Sequence, residues 1–200
     1  MRALDSEITI RQARIADAAG VARTHVESWR ATYRGIVSDE TLDGLRIEER
    51  TAGWRNVLTG LTRDTPPGQD ACYVAVDAAD EVVGFACGGL AHPLASGATP
   101  EPYDGELYAI YLKPGWERQG IGARLTLAVA THLAAGGLRS LLVWALAENP
   151  SRRFYVALGG ALVFEQEARI FDQTLPEVGY GWPDIQTLIA HCSVIAGELS

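Results

Sequence analysis

Cysteine is scarce in this chain of 200 residues: there are three, Cys72, Cys87 and Cys192, and their spacing is not paired. The count predicts neither a disulfide framework nor a zinc motif. Cys72 and Cys87 lie in apolar, strand-like segments, so we expect them to be buried, inert thiols. A reducing compartment such as the cytoplasm fits this pattern.

Long apolar runs are absent as well. No stretch is long enough to cross a bilayer, and the first seven residues, MRALDSE, contain no apolar signal core. Internal repeats and low-complexity segments are also missing. The length and the 48% hydrophobic content suit one domain with a sizeable core. We expect this domain over residues 1–183, followed at 184–200 by a tail or a loosely held short helix.

Basic residues are outnumbered: 17 Lys and Arg face 25 Asp and Glu, which leaves a formal net charge of −8 at pH 7. A nucleic-acid partner is therefore not expected, because a phosphate backbone requires a basic face. An acidic protein is compatible with a cationic substrate such as an amine, although an acidic surface that maintains solubility explains the charge more simply.

Apolar periodicity predicts an ordered set of strands and helices. The predicted strands cover 8–13, 71–76, 81–90, 106–112, 141–146, 161–170 and 177–182. The predicted helices cover 18–33, 39–45, 47–61, 121–135, 151–158 and part of 184–200. Asp17 and Ser38 are the expected N-caps of the first two helices. This mixed order indicates a layered α/β or α+β domain rather than an all-parallel one.

The segment from Glu106 to Gly122 is the most informative part of the sequence. An apolar strand ends at Pro114, a turn containing Gly120 follows, and a helix opens at Gly122. The free N–H groups and the dipole of a helix N-terminus favour an anion, and glycine allows the backbone to approach it closely. The segment therefore predicts a phosphate-bearing ligand. A nucleotide is less favoured, because the loop lacks the Gly-Lys-Ser/Thr of a P-loop.

Four segments in order make the chain similar to the GNAT superfamily of N-acetyltransferases, in its bacterial branch. They are Arg118–Ala123, Trp144–Asn149, Arg152–Gly160 and Trp29–Ile36. The resemblance covers roughly residues 8–183, and each segment alone would be a weak signal. It departs from the family at Glu117, where the pattern has Gln or Arg. We expect that carboxylate to point away from the phosphate, with Arg118 or Arg124 supplying positive charge.

The resemblance implies a central, mostly antiparallel twisted sheet of about six to seven strands flanked by helices. It also implies acetyl-CoA as the cofactor and transfer of its acetyl group to an amine. The pantetheine arm would pair with the edge of the central strand, and the pyrophosphate would lie on the turn before the helix. The implied cofactor-binding residues are Ile110, Tyr111, Leu112, Arg118, Gln119, Gly120, Ile121, Gly122, Ala123, Asn149 and Tyr155.

The resemblance also suggests roles in the chemistry. Tyr155 is the candidate general acid for the leaving thiolate, and the N–H of Leu112 is the candidate donor to the thioester oxygen. Glu106 is the first candidate base, acting directly or through water, and Glu27 is the second. His25 lies on the apolar face of its helix, which favours a core histidine over a base.

Several alternatives stay open at this point. The acceptor is either a small amine or the amine of a protein or peptide, and the acyl group is either acetyl or longer. Aromatic residues that could line an acceptor cleft are Trp29, Tyr33, Tyr108 and Trp116. The alternative function is a non-catalytic acyl-CoA-binding sensor or interaction module. A homodimer through the last strands is plausible, and His92 and His132 show no metal-binding spacing.

Overall fold

The computed structural model describes residues 8–61 and 70–197, so the predicted loop at 62–69 lies outside the described residues. Its strands are Thr9–Gln12 (β1), Ala71–Val76 (β2), Val82–Leu90 (β3), Gly105–Leu112 (β4), Leu141–Leu146 (β5), Ala161–Ile170 (β6) and Gln173–Trp182 (β7). Its α-helices are Ala18–Thr32 (α1), Asp39–Gly44 (α2), Ile47–Gly60 (α3), Ile121–Ala135 (α4), Arg152–Ala157 (α5) and Ile185–Gly197 (α6), and a 3-10 turn precedes α1 at Ile15–Asp17.

The strands form one sheet in the order β1-β2-β3-β4-β5-β7-β6. Every neighbouring pair is antiparallel except β4 and β5, which run parallel and are joined by α4. The predicted mixed fold, with a mostly antiparallel sheet of six to seven strands, is therefore confirmed. The strands of the β2–β3 and β6–β7 hairpins lie where the sequence predicts strands, except that β7 begins at Gln173 rather than at 177.

The parallel pair is short, and this shapes the molecule. Only Gly105–Leu107 of β4 pairs with Leu141–Val143 of β5, although both strands continue beyond that point. A bulge interrupts the pairing of β4 with β3, because the partners step from Leu107 to Ala109 and leave Tyr108 out. Beyond the bulge β4 and β5 diverge and open a cleft in the middle of the sheet.

Helices cover both faces of the sheet. On one face α4 and α6 bury an apolar cluster that includes Leu125, Val129 and Leu188. On the other face α1 and α3 pack Val21 and Leu58 against the strands. None of the helices in the described ranges is both long and apolar enough to cross a membrane.

The C-terminal helix α6 is more firmly held than the sequence predicts. Ile185, Leu188 and Cys192 are at most 1% exposed and belong to the same buried cluster as α4. These residues recur at a helical spacing, so α6 presents one apolar stripe to α4. Residues 185–197 therefore contribute to the core rather than forming a loosely held tail.

The expectation of two inert thiols at Cys72 and Cys87 is wrong. These residues are direct partners in the register of β2 and β3, with Cα atoms 4.1 Å apart, and they form a disulfide. An odd number of cysteines without paired spacing does not indicate a disulfide. Strand register decides the pairing instead, because it places residues 15 positions apart in the chain side by side.

Two local predictions also need correction. Asp17 precedes α1 but does not cap it: its carboxylate accepts the N–H of Arg14 at 2.7 Å and pairs with Arg11 at 2.7 Å, which ties β1 to the 3-10 turn. The apolar spacing of the segment that forms α3 predicts that Val57 is buried, but it is 48% exposed. Ser38 does cap α2, since its Oγ accepts the N–H of Thr41 at 3.3 Å.

Candidate active site

A cavity of about 710 Å³ occupies the cleft between β4 and β5. One wall is β4 from Leu107 to Leu112, and the opposite wall is formed by Val143, Trp144 and helix α5. The N-terminal turn of α4 closes one end, and α1 contributes Ser28 and Thr32, with Tyr33 directly after the helix. The divergence of two parallel strands thus produces a long groove that gives access to main-chain groups as well as side chains.

The N-terminal turn of α4 has the geometry of an anion site. Gly120 is its N-cap with a φ of 74°, a left-handed conformation in which glycine is favoured. In the described part of the chain, the N–H groups of Ile121, Gly122 and Ala123 have no acceptor. Together with the helix dipole, these three donors can hold a phosphate.

The side chains of this loop stabilise its shape. The Glu117 carboxylate borders the cavity but folds back to accept the N–H of Gly115 at 2.8 Å, and Gln119 donates to the Gly115 carbonyl at 3.3 Å. Gln119 and the core residue Ile121 do not line the cavity with their side chains. Arg118 lines it, whereas Arg124 donates to the Ile8 carbonyl at 2.8 Å and is held away.

The free edge of β4 presents alternate backbone groups to the cavity. The N–H of Lys113 donates to Val83 of β3, so in the antiparallel register Tyr111 also exchanges hydrogen bonds with β3. The N–H and C=O groups of Ile110 and Leu112 then point the other way, where β5 has already diverged. An extended amide chain can pair with this edge as an additional strand would.

Tyr155 projects from α5 into the cavity and is 6% exposed. Its ring packs against those of Phe154 and Tyr180, at centroid distances of 5.5 and 5.7 Å. Among the residues that the structure describes, none forms a hydrogen bond with its hydroxyl. Burial raises the pKa of Tyr155, so the phenol is neutral and retains a proton that it can donate.

Asn149 organises the same end of the cavity. Its side-chain oxygen accepts the N–H of Ser151 at 2.8 Å at the start of α5, and its amide nitrogen donates to the Tyr33 hydroxyl at 3.1 Å. Asn149 therefore fixes the orientation of α5, and hence of Tyr155, relative to α1. Asn149 thus combines a structural role at the start of α5 with a position on the cavity wall.

The two candidate bases occupy different environments. Glu106 is 8% exposed, and its Oε2 accepts the backbone N–H of His92 at 2.9 Å and lies 3.2 Å from Nδ1 of the same histidine. It does not itself line the cavity, but its neighbours Leu107 and Tyr108 do. Glu27 is partly exposed on α1, is not a lining residue and contacts no described polar group.

His25 is a core histidine, in agreement with its position on the apolar face of α1. Its Nδ1 accepts the indole N–H of Trp54 at 3.1 Å, and its ring stacks on Tyr111 at 5.1 Å between centroids. Burial, reinforced by the charge of Arg50, lowers its pKa from 6.5 to about 4. A neutral imidazole in this position supports the cavity wall and does not exchange protons at neutral pH.

This shift predicts a pH-dependent loss of stability. Because the pKa of His25 is lower in the folded state, the unfolded chain binds the proton first as the pH falls. The stabilisation is complete above about pH 6.5 and is lost between there and about pH 4, with an upper limit of about 3 kcal/mol. Urea unfolding of the wild type and of His25→Gln between pH 7.5 and 5 should show a shallower slope for the variant; equal slopes would contradict the assignment.

Comparison with known proteins identifies the family. The chain is 38% identical over 182 residues to the uncharacterized N-acetyltransferase YuaI of Bacillus subtilis, and the match covers 90% of this chain and 96% of YuaI. Residues 82–170 match the model of the FR47-like protein family. The chain belongs to the GNAT family of N-acetyltransferases.

Solved structures agree with this acetyltransferase fold. PaiA N-acetyltransferase from Thermoplasma acidophilum, in complex with coenzyme A, superposes with a TM-score of 0.63 at 22% identity, covering 86% of this chain and 98% of PaiA. The protein yncA from Salmonella typhimurium, with its cofactor acetyl-CoA, gives a TM-score of 0.60 at 19% identity, covering 88% and 94%. At these identities the similarity establishes the fold alone.

Several wall residues of this acetyltransferase were not anticipated: Ser28, Thr32, Trp144, Arg153 and Phe154. Ser28 and Thr32 are four residues apart on α1, so they share one helix face, and this spacing of two hydroxyl residues is the signal that the sequence offers. Of the aromatic residues expected around the cleft, Tyr33 and Tyr108 line it and Trp29 and Trp116 do not.

Proposed function

We propose that this protein transfers the acetyl group of acetyl-CoA to the primary amine of a small molecule or peptide. One feature carries the proposal: a single cleft connects the free N–H groups of α4, the open edge of β4 and the hydroxyl of Tyr155. The N–H groups of α4 would bind a pyrophosphate, the edge of β4 would bind an amide-containing arm, and the Tyr155 hydroxyl would serve a leaving thiolate. The coenzyme A of PaiA and the acetyl-CoA of yncA support the same ligand.

The residues present fit the cofactor. The N–H groups of Ile121, Gly122 and Ala123 would hold the pyrophosphate, with Arg118 adding positive charge. Ile110 and Leu112 would hold the pantetheine amides through their free backbone groups. When bound, acetyl-CoA supplies an activated acyl carbon and a thiolate leaving group.

Three groups of the chain would act on the reacting atoms. The free N–H of Leu112 would stabilise negative charge on the thioester oxygen. Tyr155, neutral because it is buried, would donate its proton to the departing thiolate. Of the two candidate carboxylates, Glu106 is the better one to take part in proton removal from the amine, because it directly precedes the lining residues Leu107 and Tyr108 and contacts the exposed His92.

The electrostatics around the acceptor end favour a small cationic amine. Glu106 and Glu177 influence each other, and burial together with the charge of Glu106 raises the pKa of Glu177. Two carboxyl groups in one partly buried region attract an ammonium group. The formal net charge of −8 has the same sign, so the chain as a whole also attracts a cation.

A thiol-release assay tests the proposal. The protein would be given acetyl-CoA and a panel of amines comprising spermidine, L-lysine, kanamycin and a short peptide with a free amino terminus. We expect release of coenzyme A thiol with at least one amine, at a rate well above the rate without acceptor. Calorimetric titration with acetyl-CoA in parallel separates the alternative, since binding without turnover would indicate a sensor module.

The proposal also includes self-association through the end of the sheet. Strand β6 is the outer strand on that side, and its Leu162 is 52% exposed. An exposed strand edge can pair with a second copy of the chain. Sedimentation analysis of the wild type and of Leu162→Lys would detect such a dimer and its loss.

A further inference from the structure

A histidine covers the buried carboxylate of Glu106. The β3–β4 connection brings His92 over this residue, and both the backbone N–H and Nδ1 of His92 approach the same oxygen, Oε2. Glu106 has a side-chain exposure of 10%, whereas that of His92 is 66%. The ring of His92 packs on Tyr108, a cavity-wall residue, at 4.7 Å between centroids.

This geometry determines which nitrogen of His92 carries the proton. An ionised carboxylate can only accept hydrogen bonds. Nδ1 must therefore be the protonated nitrogen in its contact with Oε2, and in the neutral imidazole Nε2 is then left with a free lone pair. Because the side chain is largely exposed, Nε2 can receive a proton and later release it to solvent. Glu106 itself is too enclosed to do both.

From this geometry we infer that His92 is the catalytic base of the proposed acetyl transfer and that Glu106 is its positioning residue. The inference rests on the proposed function. An N–H bond of the substrate ammonium breaks, and its proton passes to Nε2 of His92, directly or through one water. The released lone pair attacks the thioester carbon, the C–S bond breaks, and the thiolate takes the proton of Tyr155. The new amide nitrogen then loses its second proton to solvent, and solvent also removes the proton from His92 and restores that of Tyr155.

The charged and titratable groups around the pair are consistent with this role. Glu177 on β7 interacts electrostatically with Glu106. Tyr108 on β4 contacts the imidazole ring, and its hydroxyl shares its one proton between Asp70 at 3.1 Å and the Leu90 carbonyl at 2.8 Å. All three carboxylates would stabilise a positive charge on His92 during turnover.

Replacing His92 by alanine tests the inference, since the backbone N–H that holds Glu106 is retained. We expect kcat/KM for the best amine of the panel to fall by roughly 10²- to 10⁴-fold, with little change in acetyl-CoA affinity. The acid limb of the kcat/KM–pH profile, which would reflect protonation of the catalytic base, should be lost in this variant. Added imidazole should restore part of the rate.

A double-variant comparison defines the role of Glu106. If Glu106 acts through His92, Glu106→Gln lowers the rate of the wild type but does not lower that of His92→Ala further. A further decrease would make Glu106 an independent base and overturn the inference, as would an unchanged pH profile in His92→Ala. His191→Ala, an exposed histidine on α6, is the control. A wild type without turnover would contradict the proposed function instead.

Discussion

A Gly120→Val variant is expected to remain folded but to lose its affinity for acetyl-CoA. Gly120 has a φ of 74° at the N-cap of α4, and a β-branched residue is strained in that region. Relief of the strain would turn the N–H groups of Ile121–Ala123 away from the cleft. Loss of two charge-assisted hydrogen bonds, at roughly 1.5–3 kcal/mol each, corresponds to a decrease of roughly 10²- to 10⁴-fold in affinity.

Gly97→Val is the matched control for this prediction. Gly97 has a φ of 83° and open space around its Cα, so the backbone strain is similar but occurs in a surface loop away from the anion site. Calorimetric titration with acetyl-CoA should show near wild-type affinity for Gly97→Val. Wild-type affinity in Gly120→Val itself would remove the α4 turn from the binding site.

A Tyr155→Phe variant is expected to bind acetyl-CoA normally but to turn over roughly 10²- to 10⁴-fold more slowly. The substitution removes only the hydroxyl, which faces the cavity without a hydrogen-bond partner in the described ranges. Folding should therefore change little, because no protein hydrogen bond is broken. Burial raises the pKa of Tyr155, so the wild-type hydroxyl stays protonated at neutral pH. The decrease in turnover should therefore be measurable at neutral pH.

Tyr180→Phe provides the comparison within the same cluster. Tyr180 is 7% exposed and packs on Tyr155, but it does not line the main cavity. Measurements of kcat and of acetyl-CoA affinity should show near wild-type values for this variant. Equal turnover in Tyr155→Phe and wild type would exclude Tyr155 as the general acid and would leave the thiolate to be protonated by solvent.

The strands and helices were largely predictable because their signals are local. Short apolar runs predicted β2, β3 and β5 within a residue or two, and the apolar stripe through Leu125 and Val129 predicted α4. The turn that we propose as the anion site was recognisable for the same reason, since a strand, a glycine turn and a helix follow each other directly. The predicted N-cap role of Asp17 is wrong because the carboxylate pairs with Arg11 on β1 instead.

Contacts between distant segments were not predictable from periodicity. Nothing in the sequence shows that β4 and β5 separate after Leu107, yet that separation creates the cleft. The register of β2 and β3 decides that Cys72 meets Cys87, and the β3–β4 connection brings His92 onto Glu106. These contacts depend on the register of neighbouring strands and on the point where strands separate. Several elements determine both properties together, so no single segment of the sequence reveals them.

By itself the sequence determined the order of elements, the glycine turn ahead of α4 and the residue types available for acid–base chemistry, because short-range sterics and apolar spacing set these properties. The tertiary structure alone decided which groups share the cleft: the free backbone of Ile110 and Leu112, the unpartnered Tyr155 hydroxyl, and the pair of Glu106 and His92. The physical reason is that strand divergence exposes backbone groups and that packing brings together side chains from separate parts of the chain.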